Sequence, residues 1–172
     1  TLHHYLARNG IIGVKGIDTR ALTRILREKG TMNGVISTEP DFKMEDWIQK
    51  LREYRFENPV EKVTTKEVIH YEGTGKRIAV IDYGVKQNII RCLQKRSCEV
   101  YVFPALSTGS DILEVNPDGI LLSGGPGNPA DCGFQIKVIR ELTGKKPIFG
   151  ICLGHLLAAA ANGAETYKLK YG

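Results

Sequence analysis

The residue with the clearest chemical potential is Cys152, set in Phe149-Gly150-Ile151-Cys152-Leu153-Gly154-His155. A thiolate is a strong nucleophile toward acyl carbon, provided that the chain presents it rather than burying it. Gly150 and Gly154 flank the cysteine at minus two and plus two. That pattern, G-x-C-x-G, is the thiol counterpart of the G-x-S-x-G elbow, in which a strand turns sharply into a helix with the nucleophile at the crest. Glycines on both sides remove the Cβ atoms that would collide as the two backbones close. The cysteine then stands at a helix N-terminus, a position that favours an anionic sulfur. The competing reading is a buried core cysteine, the commonest fate of a lone thiol in an apolar segment.

A second stretch could meet the same chemistry. Ser123-Gly124-Gly125-Pro126-Gly127-Asn128-Pro129 packs three glycines and two prolines into seven residues. It has neither the Gly-Lys-Ser/Thr of a phosphate loop nor the dinucleotide pattern G-x-G-x-x-G. Its backbone N–H groups suit an oxyanion or a carboxylate; taken alone, it also reads as an ordinary turn.

The elements that must hold these two stretches follow from the pattern around them. Arg77–Asp82, Glu99–Phe103, Gly119–Ser123 and Pro147–Ile151 read as apolar strands. Helices are expected at Val85–Lys95, near Ser110–Val115 with Ser110 or Asp111 as cap, at Gln135–Leu142, and at Leu156–Ala161 after the elbow. Four strand–helix alternations predict an α/β fold with a parallel sheet covered on both faces. Ligands of such sheets bind beyond the carboxyl ends of the strands, where both Cys152 and the glycine loop fall.

Upstream, a short helix at Tyr5-Leu6 and a strand at Ile11–Val14 are expected. A helix then opens at Asp18 and closes at Lys29-Gly30, with Leu22, Ile25 and Leu26 as its apolar stripe. Asn33–Ser37 reads as a turn into a strand. Residues 41–55 read as a second amphipathic helix, carrying Met44, Trp47, Ile48 and Leu51. The first 40 residues offer this stripe few partners and look like the tail of a larger domain. The polar stretch from Glu57 to Lys76 reads as a linker, giving a first region of residues 1–72 and a second of 73–172.

Composition narrows the class. Of 172 residues 42% are hydrophobic and 25% charged, with a net charge of +5. These values are those of an ordinary globular chain. The basic residues alternate with acids, as in Arg24-Ile25-Leu26-Arg27-Glu28-Lys29, so no nucleic-acid partner is expected. No apolar run is long enough to span a bilayer. The four cysteines, Cys92, Cys98, Cys132 and Cys152, show no zinc spacing, and no metal site is expected. A reduced, cytoplasmic setting follows. The chain begins at Thr1 and reads as an internal fragment.

Together, Leu122-Ser123-Gly124-Gly125-Pro126-Gly127-Asn128-Pro129 and the Phe149–His155 elbow resemble the class I glutamine amidotransferases, whose domain is an open parallel, flavodoxin-like sheet. The chain further resembles one branch, the small subunits of carbamoyl-phosphate synthetases. The marks of that branch are Gly16-Ile17-Asp18-Thr19-Arg20-Ala21-Leu22-Thr23-Arg24, Arg27-Glu28-Lys29-Gly30, Asp82-Tyr83-Gly84-Val85-Lys86-Gln87-Asn88-Ile89 and Asn116-Pro117-Asp118-Gly119-Ile120. On this resemblance residues 1–72 are the end of the small-subunit N-terminal domain plus a linker. Residues 73–172 are then the first part of the amidotransferase domain.

The resemblance implies L-glutamine as substrate, Cys152 as nucleophile, and the N–H groups of Gly125 and Leu153 as the oxyanion hole. Gly125, Gly127, Leu153 and the residue at position 156 would hold the substrate. It implies a large-subunit partner that joins the released ammonia to bicarbonate with ATP and magnesium, for arginine or pyrimidine biosynthesis, and no cofactor in this chain. Other class I amidotransferases lack the domain preceding residue 73. A non-catalytic interaction module with a decayed site is the alternative from another class.

This sequence departs from the family's pattern in three ways. The family's catalytic His-x-Glu pair follows the nucleophile, whereas no histidine follows His155 here; the literal match, His70-Tyr71-Glu72, lies upstream. The family's glutamine contact after the elbow histidine is Leu156. A serine contact to substrate would precede Thr1. Without a general base the chain alone is expected to release ammonia from glutamine more slowly than roughly 1 per second. A steady-state ammonia assay at or above that rate would contradict this.

Overall fold

A computed structural model describes residues 1–169. The chain divides into two compact units, one built on Thr1–Arg55 and the other spanning Phe56–Thr166.

The first unit carries α1 (Leu2–Arg8), α2 (Thr19–Lys29) and α3 (Glu45–Glu53). Asp18 caps α2 as its sequence predicts, its Oδ1 accepting from the Ala21 N–H at 2.9 Å, and Gly30 ends it at φ +87°. The expected strands at Ile11–Val14 and Asn33–Ser37 do not form. Both stretches are irregular, because no neighbouring strand among the described residues receives their backbone groups. The Leu22, Ile25 and Leu26 stripe stays 40–46% exposed, and none of the three helices buries a residue.

The second unit is built on a five-stranded sheet. It opens with α4 (Pro59–Val63) and β1 (Ile69–Tyr71), then continues β2 (Arg77–Asp82), α5 (Gln87–Gln94), β3 (Glu99–Pro104), α6 (Gly109–Glu114), β4 (Gly119–Leu122), α7 (Gly133–Leu142), β5 (Ile148–Gly150) and α8 (Leu153–Ala161). The strand order is β1-β3-β2-β4-β5, parallel throughout except for β1, which runs antiparallel on the β3 edge. Alternation along the strands divides the core. Ala79, Ile81, Phe103, Ile120 and Leu122 pack with Ile112, Val138, Ile139, Leu142, Leu153 and Leu157 on one face. Val80, Val100, Val102 and Leu121 pack with Ile90 of α5 on the other. Successive strand residues point to opposite faces, so a sheet clad on both sides needs apolar residues at nearly every position.

The reading of residues 57–76 as a linker is corrected. Pro59 and Val60 are buried, and β1 completes the sheet edge. The carboxylate of Asp82 ties the segment down: Oδ2 accepts from the Thr65 N–H at 2.8 Å while Oδ1 accepts from the N–H groups of Gly84 and Val85. A polar composition hid these contacts because they are made largely by backbone donors. The cap of α6 is corrected too. It is Thr108, in a reciprocal capping box with Asp111, rather than Ser110 or Asp111. The helix after the elbow starts at Leu153, three residues earlier than its composition suggests.

Candidate active site

Cys152 follows β5 directly and occupies the N-cap position of α8, at φ +51° and ψ −113°. That backbone region is costly for any residue with a side chain and persists only where its surroundings impose it. Here they do. The Ile151 N–H donates to the Leu122 carbonyl at 2.9 Å and the Gly154 N–H to the Ser123 carbonyl at 3.0 Å, clamping both sides of the turn to the end of β4. A Cβ on Gly154 would lie 2.4 Å from the Leu122 carbonyl oxygen, and one on Gly150 would lie 2.6 Å from the His155 nitrogen. Both glycines of the motif are therefore required by close backbone approach. Leu153 and Leu157 anchor α8 in the core at 2% and 0% exposure, and the thiol of Cys152 stays exposed.

The glycine loop runs alongside. A Cβ on Gly124 would sit 3.4 Å from that of Cys152, so the loop backbone borders the thiol. Gly125 is pressed against Tyr83, where a Cβ would come 2.0 Å from its carbonyl oxygen. Ser123 is fully buried and structural. Its hydroxyl accepts from the Tyr83 N–H at 2.9 Å and donates to the Gly124 carbonyl at 2.9 Å, locking the loop to the end of β2. Burial raises the pKa of the Tyr83 phenol well above its ordinary range, with the Cys132 thiol adding to the shift. Tyr83 therefore acts here as a neutral wall. Its part in bracing the loop was missed from sequence, where Asp82-Tyr83-Gly84 carries no chemical signature by itself.

The N–H groups of Gly125, Gly127 and Leu153 donate no hydrogen bond among the described residues. Leu153 is the first residue of α8, whose first-turn N–H groups have no partner within the helix. The arrangement offers an exposed sulfur, unpaired N–H donors from the helix start and a rigid loop alongside. These are the parts needed to attack a carbonyl and hold the resulting oxyanion. Leu156 lies one helical turn beyond Cys152, its N–H bonded to the Cys152 carbonyl at 3.1 Å, and its side chain is 39% exposed. His155 is exposed on the same turn.

His70 does not join this group. It lies on β1 with Nε2 3.1 Å from Glu99 and its ring stacked on Tyr101 at 4.2 Å. β1 and β5 are opposite edges of the sheet, four strand spacings apart, or roughly 19 Å. His70-Tyr71-Glu72 instead helps fasten an edge strand, with Glu99 also bonded to Arg77 Nε at 2.7 Å. The Arg77 hydrogen bond leads the causes that hold the Glu99 carboxyl below its ordinary range. Among the described residues no group of three His, Cys, Asp or Glu side chains could hold a metal ion. No helix there is long and apolar enough to cross a membrane.

Residues 79–172 match the family model for class-I glutamine amidotransferases, more than half of the chain. The chain belongs to that family. Residues 1–36 match the carbamoyl-phosphate synthase small chain, CPSase domain. Among curated relatives, the carbamoyl phosphate synthase small chain of Clostridium perfringens is 49% identical over 171 residues, covering 99% of this chain and 49% of that protein. Those of Listeria monocytogenes and Streptococcus mutans are 46% and 47% identical, each covering all of this chain and 47% and 48% of theirs. The chain spans about half the length of the curated relatives it matches. A crystal structure described as that of a putative GMP synthase protein from Thermoplasma acidophilum is 26% identical and covers 52% of this chain and 46% of its own, with a TM-score of 0.46.

Proposed function

We propose that this chain is the nucleophile-bearing part of a carbamoyl-phosphate synthase small chain, which hydrolyses L-glutamine in the cytoplasm to supply ammonia. The observation that carries the reading is the exposed Cys152 on its strained turn, with the glycine loop beside it at Gly124; the N–H groups of Leu153 and Gly125 have no partner among the described residues. The thiolate sulfur adds to the side-chain amide carbon of glutamine, and the carbonyl oxygen becomes an oxyanion facing those two donors. The C–N bond then breaks and the nitrogen leaves as ammonia after taking up a proton, which leaves a γ-glutamyl thioester. Water adds to the thioester and expels the thiolate, giving glutamate. Gly127 borders the substrate on the loop side. A large subunit would join the ammonia to bicarbonate with ATP and magnesium, and the relatives' names support that partner. His155 stands beside the nucleophile in sequence, but Leu157 occupies the place where a His-x-Glu pair would have its glutamate. This stretch therefore supplies attack and stabilisation rather than the general base.

Leu156 takes the place of a substrate-contacting glutamine. A hydrocarbon there leaves a polar group of glutamine without a partner, at about 1–3 kcal/mol. A chloromethyl ketone analogue of glutamine tests the reading without needing a base, since the sulfur displaces chloride directly. The expected product is a single adduct on Cys152, formed more slowly when L-glutamine is added. The Leu156→Gln variant should be protected at roughly 5- to 150-fold lower glutamine concentration. An adduct spread over all four cysteines, or one indifferent to glutamine, would overturn the assignment.

A further inference from the structure

We propose that Gln135 is a positioning residue for the glycine loop, acting through ordered water held in a small polar cavity beside Gly127. The inference rests on the glutaminase reading above and adds to it a residue outside the elbow and the loop.

The cavity, about 40 Å³, lies between the start of α4 and the start of α7, lined by Asn58, Pro59, Glu61, Gly127, Asp131 and Gln135 among others. Gln135 is 6% exposed, and among the described residues its side-chain amide has no hydrogen-bond partner. No fully sealed side-chain nitrogen or oxygen is left without a partner, so the amide fronts the cavity it lines. An amide that fronts such a space meets its hydrogen-bonding needs through water.

Local capping does not use the amide. Gln135 is the third residue of α7, from which a glutamine side chain can reach back to the N–H of the N-cap residue. Here that residue is Cys132, and its N–H already donates to the Pro129 carbonyl at 3.1 Å.

Size and lining suit water. One water needs at least about 10–15 Å³ of such space and two to four polar partners. A volume of about 40 Å³ therefore holds up to about four waters. Asn58, Glu61 and Asp131 also line it and offer polar partners. No cationic side chain lines the cavity, which argues against an anion.

The consequence falls on Gly127, which sits at φ +105°, and a Cβ added to it would be 2.7 Å from Pro59 Cγ. Pro59 is thus the backstop of the loop. Asn58, just before it, adopts the left-handed conformation at φ +45°, which turns the chain into α4. Water bridging Gln135 to the Asn58–Glu61 turn ties α7 to α4 and holds that backstop in place.

The test compares Gln135→Met, which keeps length and loses the amide, with Gln135→Asn, which keeps the amide and admits further water. In Gln135→Met, hydrogen exchange at Thr64, Ala130, Asp131 and Cys132 is expected to rise roughly tenfold, with Val80 and Ile81 unchanged. The half-saturating concentration of the glutamine chloromethyl ketone should rise about tenfold as well, while the rate with iodoacetamide stays the same. Gln135→Asn should restore most of both. The inference is overturned if Gln135→Met matches the parent in exchange at those four sites, if exchange rises equally in β2, or if Gln135→Asn behaves like Gln135→Met. Failure of the parent chain to react with the ketone on Cys152 would instead count against the glutaminase reading, and the exchange comparison would still decide the role of Gln135.

Discussion

Gly154→Ala is expected to lower the melting temperature of the 172-residue chain by roughly 10 °C. The added methyl would meet the Leu122 carbonyl oxygen at 2.4 Å, its carbon at 2.6 Å and the Leu122 Cβ at 2.6 Å. Two of these three are backbone atoms at the end of β4, paired on both sides in the sheet, so no rotamer change relieves the clash. The helix must instead move off β4, drawing Leu153 and Leu157 from the core they fill. Overpacking of this kind costs about 1–3 kcal/mol, and a backbone obstacle places it at the upper end. For a unit of this size each kcal/mol is worth roughly 3–5 °C. Gly133→Ala is the control, because a Cβ there meets nothing within 4 Å and its φ is not positive; its effect should stay within about 0.5 kcal/mol. Thermal unfolding of both variants checks the pair, and a Gly154→Ala curve within about 2 °C of the parent would mean that α8 does not press on β4 as described.

The second large effect concerns the thiols. Iodoacetamide at neutral pH is expected to modify Cys152 first, then Cys92 and Cys98, with Cys132 roughly 100-fold slower than Cys152. Cys152 is exposed at a helix start. Cys132 is 6% exposed, and burial raises its thiol pKa, so less of it is thiolate. Each unit of such a shift is a factor of ten in thiolate at fixed pH. Peptide mapping over a time course reads the order directly; equal rates at all four positions would argue that the turn confers nothing on its sulfur. The same residue should carry a stability cost. Cys152→Gly relieves a strain of about 1–3 kcal/mol and adds about 0.5–1 kcal/mol of chain entropy to the unfolded state. A net gain of about 1 kcal/mol, or a few °C, is expected, together with complete loss of ketone labelling.

Much of the second unit was legible residue by residue. Arg77–Asp82 reads as a strand because six residues alternate between two faces that are both buried, and β2 occupies those residues. The elbow was legible because a thiol between two glycines at a strand-to-helix change has few other uses, and φ +51° at Cys152 is the geometry such a turn demands. Asp18 and Gly30 announced both ends of α2 by local hydrogen bonding and backbone freedom alone.

What the sequence could not determine depends on partners distant along the chain. Residues 57–76 looked like a linker, since nothing local shows that Asp82 bonds Thr65 or that Pro59 abuts Gly127. Ile11–Val14 and Asn33–Ser37 have strand-like composition, yet a strand exists only where another receives its hydrogen bonds. His70 and Cys152 could be weighed by their order in the chain, but only the sheet order placed them at opposite edges. Backbone torsions, caps and periodicity act over a few residues and can be read from them. Pairing and packing act between residues tens of positions apart, and only the folded chain decides them.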